Sequence, residues 1–100
     1  MKQNIFNTYV SEVCKIFNVK KKMLFTKTKK RDVVDARQLL YWLCRRRPMN
    51  IVYIKEYMLE NGYDISHSVI HYGIAVVEQK VSNDADYVET INSILDEAEV

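Results

Sequence analysis

The apolar residues of this chain recur every three or four positions, which predicts amphipathic helices along almost its whole length. The first helix covers residues 4–17, a short helical segment follows at 21–25, and an acidic helix lies at 84–98. Their inward-facing apolar side chains are Ile5, Phe6, Tyr9, Val10, Val13 and Phe17 in the first helix and Val88, Ile91, Ile94 and Leu95 in the last. The sequence shows no strand pattern and no repeat. We therefore predict an all-α single domain over residues 1–100, with five to six helices.

A longer helix over residues 33–47 is apolar around most of its circumference, which is typical of the central helix of a small bundle. Its apolar positions are Val33, Ala36, Leu39, Leu40, Tyr41, Trp42, Leu43 and Cys44. Residues 26–31 before it hold no apolar side chain and are predicted to form a loop. We expect Asp32 to cap the helix by accepting hydrogen bonds from its first free N–H groups, and Pro48 to end it.

Residues 50–71 carry the pattern of a helix-turn-helix. A short helical segment at 50–60 stops at Gly62, where the missing Cβ permits the left-handed conformation that commonly follows a helix. In the next helix Ile70, Ile74, Val77 and Val81 recur at helical spacing, which leaves Ser68, Tyr72 and Gln79 on the opposite face. Two helices joined by such a turn can present the start of the second helix to a DNA major groove.

Charge divides the chain into two halves. Residues 1–47 carry thirteen Lys and Arg against three acids, a balance of +10, whereas residues 48–100 carry two against ten, a balance of −8. Within the first half, residues 20–31 hold seven cations and no acid. This segment is either a solvated surface loop or a surface for a polyanion, and a phosphate backbone would relieve the repulsion among its cations. Arg45, Arg46 and Arg47 form a second cluster, which could also complement the C-terminal dipole of the central helix.

Ser66, His67 and Ser68 stand at the predicted start of the recognition helix. Their short polar side chains could contact base edges or phosphates, while the alternative is ordinary capping by Asp64 or Ser66. His67 and His71 have the spacing of two metal ligands on one helix, but the Glu that zinc-peptidase chemistry needs is replaced by Ser68, and no third ligand is evident. We expect no metal, no cofactor and no enzymatic activity, because no catalytic constellation occurs in the sequence.

Cys14 and Cys44 fall within helical patterns, so we expect two buried thiols in a reducing compartment in preference to a disulfide. The N-terminal region lacks the pattern of a signal peptide, and no apolar run approaches the length of a membrane span. These features predict a cytoplasmic protein, associated with the nucleoid or, if encoded by a phage, located in the host cytoplasm.

Taken in order, these segments resemble the C-terminal DNA-binding domain, domain IV, of the bacterial replication initiator DnaA, a member of the Trp-repressor-like superfamily. Residues 19–38 follow the family pattern without a gap: the apolar pair Leu24-Phe25, the basic loop, and then Val33 to Gln38 where the family has V-x-x-P-R-Q. Matches to the G-G-R-D-H-S/T-T-V signature occur at Gly62, Ser68, Val69 and His71. The resemblance implies a DNA-binding helix-turn-helix, with Lys29 at the position of the arginine that enters the minor groove. The initiator's ATPase domain is not expected here.

We therefore predict a protein that binds double-stranded DNA as a monomer and acts in replication initiation or transcription control. The predicted contacts are Lys27, Lys29, Lys30 and Arg31 in the loop predicted over residues 26–31, Arg37, Arg45 and Arg46 along the central helix, and Ser66, His67, Ser68, His71 and Tyr72 in the recognition helix. The alternative is a protein-interaction module, whose basic half docks on an acidic protein or membrane surface or which mimics or regulates a DnaA domain. In that case departures such as Tyr63 at the second signature glycine reflect lost DNA recognition.

Overall fold

The computed structural model describes residues 1–98, and it is all-helical over that range. The helices are α1 (Lys2–Phe17), α2 (Lys21–Leu24), α3 (Arg31–Arg46), α4 (Ile51–Glu60), α5 (His67–Asn83) and α6 (Ala85–Ala98). The predicted all-α fold with five to six helices is confirmed, and the predicted helix positions agree to within a few residues. Residues 99 and 100, which the predicted domain also included, lie outside the described residues.

Helix α3 is the centre of the bundle, as its apolar circumference predicts. It packs against α1, α2, α4 and α5. Its side chains Leu39, Leu40, Leu43 and Cys44 are fully buried, and Phe6 and Tyr9 of α1 cover them from one side. Burying this continuous apolar surface is the main force that holds the six short helices together.

The helices α3 and α5 approach closely at Gly73. A Cβ built at this position would lie 3.0 Å from Cδ2 of Tyr41 and 3.2 Å from Cγ of Gln38. The absence of a side chain therefore allows the two helices to pack at short range. This packing sets the position of α5 relative to every residue on α3.

The start of α3 differs from the prediction. The helix begins at Arg31, two residues earlier than expected, and Lys30 occupies the cap position without a side-chain hydrogen bond. Asp32 therefore lies inside the first helical turn, where its Oδ1 accepts a hydrogen bond from the N–H of Val33 at 2.9 Å. Its carboxylate still complements the positive end of the helix, but the prediction that Asp32 is the cap residue is wrong.

Both cysteines carry free thiols. Cys44 is fully buried, and Cys14 is half-buried on α1. Burial raises the pKa of each thiol, because an apolar surrounding disfavours the thiolate. Both side chains act as small apolar groups of the core.

Candidate nucleic-acid interface

The helices α4 and α5 follow each other along the chain and are joined by a short turn. Asn50 caps α4, because its side chain accepts a hydrogen bond from the N–H of Val52 at 3.0 Å. At the other end of α4 the chain reverses at Gly62, whose φ is +91°. The N–H of Gly62 donates to the carbonyl of Leu59 at 2.9 Å and that of Tyr63 donates to Met58 at 3.0 Å. The predicted glycine stop after α4 is confirmed.

The turn between α4 and α5 is held by a contact that the sequence pattern did not indicate. Lys55 on α4 extends its Nζ to Oδ1 of Asp64 at 3.2 Å and also donates to the carbonyl of Ile65. Ile65 lies immediately before the cap residue of α5, and Ile70 lies in the first turns of that helix. Both side chains are buried in the core. This pair corresponds to a hydrophobic staple, which sets the angle at which the chain enters the helix.

Ser66 is the cap residue of α5. Its side chain accepts a hydrogen bond from the N–H of Val69 at 3.3 Å, so the capping alternative holds for Ser66, whereas Asp64 pairs with Lys55. His67 and Ser68 occupy the first turn of the helix, and both are exposed. His71 and Tyr72 are exposed one turn later, with Tyr72 at 68 %. These side chains are available to a ligand that approaches the start of α5.

Arg37 does not lie at the surface. Its side chain is only 5 % exposed, and its Nε donates to the carbonyl of Leu24 at 2.7 Å. The remaining guanidinium nitrogens donate to the carbonyls of Thr28 at 3.2 Å, of Met23 at 3.4 Å and of Thr26. The prediction that Arg37 contacts DNA is therefore wrong, because its planar fork of donors is used inside the protein.

These hydrogen bonds give Arg37 a different role, which is to hold the loop between α2 and α3. We call residues 26–30 the basic loop. Its backbone wraps around the guanidinium, and the N–H of Lys30 adds a hydrogen bond to Oγ1 of Thr28 at 3.3 Å. Lys27, Lys29 and Lys30 are exposed on this fixed backbone. The next cation, Arg31, is 91 % exposed at its side chain, and its 3.7 Å contact with Asp35 is an exposed pair of small energetic value.

The basic loop and the start of α5 border one cleft, which we call the loop–α5 cleft. Its lining residues are Thr28 of the loop, Val34, Arg37, Gln38 and Tyr41 of α3, Tyr63 of the turn, and Val69 and Tyr72 of α5. The Arg37 guanidinium lies over the ring of Tyr63, 4.3 Å from its centroid, and so connects the loop to the turn between α4 and α5. The fold thus brings the basic loop close to the start of α5, although the two segments are more than thirty residues apart in the sequence.

The floor of the loop–α5 cleft contains the phenol of Tyr41. This side chain is 2 % exposed, and its hydroxyl has no hydrogen-bond partner within the described part of the chain. Burial and the nearby Tyr63 raise the pKa of Tyr41, with a partial opposing effect of the Arg37 charge. The phenol is therefore neutral and remains a hydrogen-bond donor.

Arg45 and Arg46 lie at the other end of α3 from the basic loop, and they border the opposite side of α5. They line a groove together with Trp42 of α3 and with Ile74 and Glu78 of α5. Both arginines are exposed, and the guanidinium of Arg46 lies 5.5 Å from the centroid of the Trp42 ring. Tyr72 and Ile74 thus face different basic groups, although they are two residues apart on the same helix.

An uncharged row of side chains runs along α5 between these two basic groups. We call Ser68, His71, Ala75 and Gln79 the α5 ridge, since all four are exposed and follow one another at helical spacing. The helix carries no Asp or Glu before Glu78. The ridge is therefore a polar surface without anionic side chains over its first three turns, with lysines on one flank and arginines on the other.

Comparison of this chain with family models, with curated proteins and with solved structures finds no match. Among the helices of residues 1–98, none combines the length and the apolar character that a membrane span requires. The described residues contain no group of three Cys, His, Asp or Glu side chains that could hold a metal ion, either around His67 and His71 or elsewhere. The function of the interface is therefore inferred from its own geometry and charge.

Proposed function

We propose that this protein binds double-stranded DNA, with the α5 ridge in the major groove and the flanking cations on the phosphates of the two strands. One observation carries the proposal: the uncharged α5 ridge lies between the basic loop and the pair Arg45 and Arg46. A duplex presents the same order of chemistry, because a groove of neutral base edges lies between two anionic backbones.

The dimensions support this arrangement. Residues 31–44 of α3 separate the basic loop from Arg45 and Arg46, and a helical segment of that length extends about 21 Å. A major groove is about 12 Å wide between its backbones. Since lysine and arginine side chains are long and flexible, cations at the two ends of α3 can reach inward to both phosphate backbones while α5 occupies the groove between them.

The N-terminal end of α5 adds an electrostatic attraction for DNA phosphates. The N–H groups of the first turn and the helix dipole give this end a partial positive charge, which attracts a phosphate. Ser68 and His71 on the ridge have side chains suited to base edges, and Gln79, which lies farther along the ridge, can bond an adenine in two places. A helix-turn-helix of this kind agrees with the resemblance to domain IV of DnaA and with a role in replication or transcription control.

Replacing Lys29, Lys30 and Arg31 together by Ala is expected to weaken binding to every duplex sequence by a similar factor. These cations would contact phosphates, which are the same at every site, and each lost contact should reduce the salt dependence of the affinity by about one unit of slope. Fluorescence anisotropy on a selected site and on scrambled duplex measures the two affinities. Helical circular dichroism should stay unchanged, because all three side chains are exposed. A loss that occurs on the selected site alone would contradict the proposed phosphate contacts.

The variants His67→Ala and Ser68→Ala test where sequence recognition lies. On a preferred site, obtained by selection from a random pool, each should cost on the order of 1–3 kcal/mol, with a much smaller loss on scrambled duplex. Ser82→Ala is the matched control, since Ser82 is also exposed on α5 but lies near its other end. Equal losses on the two DNAs would show that the first turn of α5 contacts phosphates and does not discriminate bases.

A further inference from the structure

The loop–α5 cleft has a size and composition that contact with a phosphate backbone does not require. Its volume is about 240 Å³, which is below the roughly 300–1,000 Å³ of pockets that enclose drug-sized ligands. It therefore accommodates one small ring system. Tyr63, Tyr72, Val34 and Val69 form its apolar and aromatic walls, and Val69 and Tyr72 at the rim are 48 % and 68 % exposed.

The polar groups at the base of this cleft favour a neutral ligand. The Tyr41 hydroxyl is buried without a hydrogen-bond partner in the described residues, and leaving such a group unpaired is unfavourable. The half-buried Gln38 also lines the cleft, and its amide group has both donor and acceptor atoms. Arg37, the only charged residue in the lining, donates to four backbone carbonyls and is not available to an anion.

A planar heteroaromatic ring with a hydrogen-bonding edge matches these features. The faces of the ring would contact the aromatic rim of the cleft. The edge of the ring would form hydrogen bonds with Tyr41 and Gln38. The cleft also opens between the two elements that the proposed function places on DNA, which are the basic loop and the start of α5. Bases that leave the stack are bound in this manner, by aromatic side chains and by hydrogen bonds to their edges.

We propose that the loop–α5 cleft binds an unstacked nucleobase. The base would come from DNA that carries an unpaired nucleotide, in which case the inference rests on the proposed function, or from a free nucleoside. The protein would then bind duplexes with a displaced base more tightly than fully paired ones, because an unpaired base leaves the stack at lower cost than a paired one.

Three duplexes of one sequence test this inference. The first is fully paired, the second carries one unpaired adenine at the centre, and the third carries an abasic nucleotide at that position. The abasic duplex has the same interruption of the stack but no base, so the ratio of affinities for the second and third duplexes isolates the cleft. We expect the wild-type protein to bind the adenine duplex about tenfold more tightly than the abasic one, as base–aromatic stacking predicts.

Side-chain substitutions assign that ratio to the cleft. Tyr72→Ala should bring the ratio close to one, whatever its effect on overall affinity. Tyr41→Phe removes only an unpaired hydroxyl, so it should lower the ratio severalfold while the melting temperature does not fall. Tyr53→Ala is the matched control, because Tyr53 is a partly exposed tyrosine on α4 outside the cleft lining, and its ratio should stay at the wild-type value.

A free nucleoside separates the two sources of the base. The fluorescence of 2-aminopurine riboside should be quenched by the wild-type protein and not by Tyr72→Ala if the cleft takes a free ligand. Quenching without binding to any duplex at low salt would keep the cleft assignment and overturn the DNA-binding function. Equal affinities for adenine and abasic duplexes, together with no quenching of the riboside, would overturn the cleft assignment even if paired duplex is bound.

Discussion

Raising the salt concentration from 50 to 200 mM is expected to weaken binding of this protein to random duplex DNA by about a thousandfold. That estimate corresponds to about six phosphate contacts, each of which releases condensed counterions. The side chains that would make them are exposed on the two flanks of the α5 ridge: Lys27, Lys29, Lys30, Arg31, Arg45 and Arg46. Anisotropy titrations at four or five salt concentrations give the slope of log affinity against log salt.

Two variants serve as references for this measurement. Ser68→Ala should keep the wild-type slope, because it removes no charge. The substitution of Lys29, Lys30 and Arg31 by Ala should lower the slope by about three. A slope close to zero for the wild-type protein would contradict the proposed DNA interface. Tight binding to an acidic peptide in place of DNA would then favour a protein-interaction module.

Replacing Arg37 by Met is expected to reduce the free energy of unfolding by about 2–4 kcal/mol, because buried carbonyls lose a charged donor. Four backbone carbonyls at the α2–α3 connection accept hydrogen bonds from this guanidinium. Arg37→Lys should have an intermediate effect, since an ammonium group keeps the charge but not the planar fork. Urea unfolding followed by circular dichroism measures all three proteins.

Arg31→Ala is the matched control for Arg37, because it removes an arginine of the same helix whose side chain is 91 % exposed. Its effect on stability should stay within about 0.5 kcal/mol. Arg37→Met should also weaken binding to random duplex, because the basic loop would lose the group that holds its backbone. If Arg37→Met unfolds at the wild-type urea concentration, the guanidinium does not hold the loop as we describe.

The sequence predicted the elements that depend on local interactions. The stop of α4 at Gly62 was predicted from the conformational freedom of glycine, and the alternative of a cap at Asp64 or Ser66 already contained the residue that caps α5. The exposure of Ser68 and Tyr72 opposite Ile70 follows from helical spacing. These features need no knowledge of what lies on the other side of the bundle.

The features that depend on tertiary packing were not accessible in the same way. An arginine in a basic half of the chain resembles a DNA contact, and only the fold shows that Arg37 meets carbonyls nine to fourteen residues before it. The contact of Lys55 with the turn also joins residues nine and ten positions apart. The position of Arg45 and Arg46 beside α5 follows from the close approach at Gly73, which no local pattern encodes.

The absence of charge on the α5 ridge separates two properties that many DNA-binding surfaces combine. Under the proposed function, the residues that would choose a site are neutral and exposed, and the residues that would supply most of the affinity are cations on other segments. Ser68, His71, Ala75 and Gln79 contribute little to the core, so substitutions among them leave both the fold and the phosphate contacts in place. The target sequence of such a protein can therefore change in single steps during evolution, through intermediates that still fold and still bind DNA.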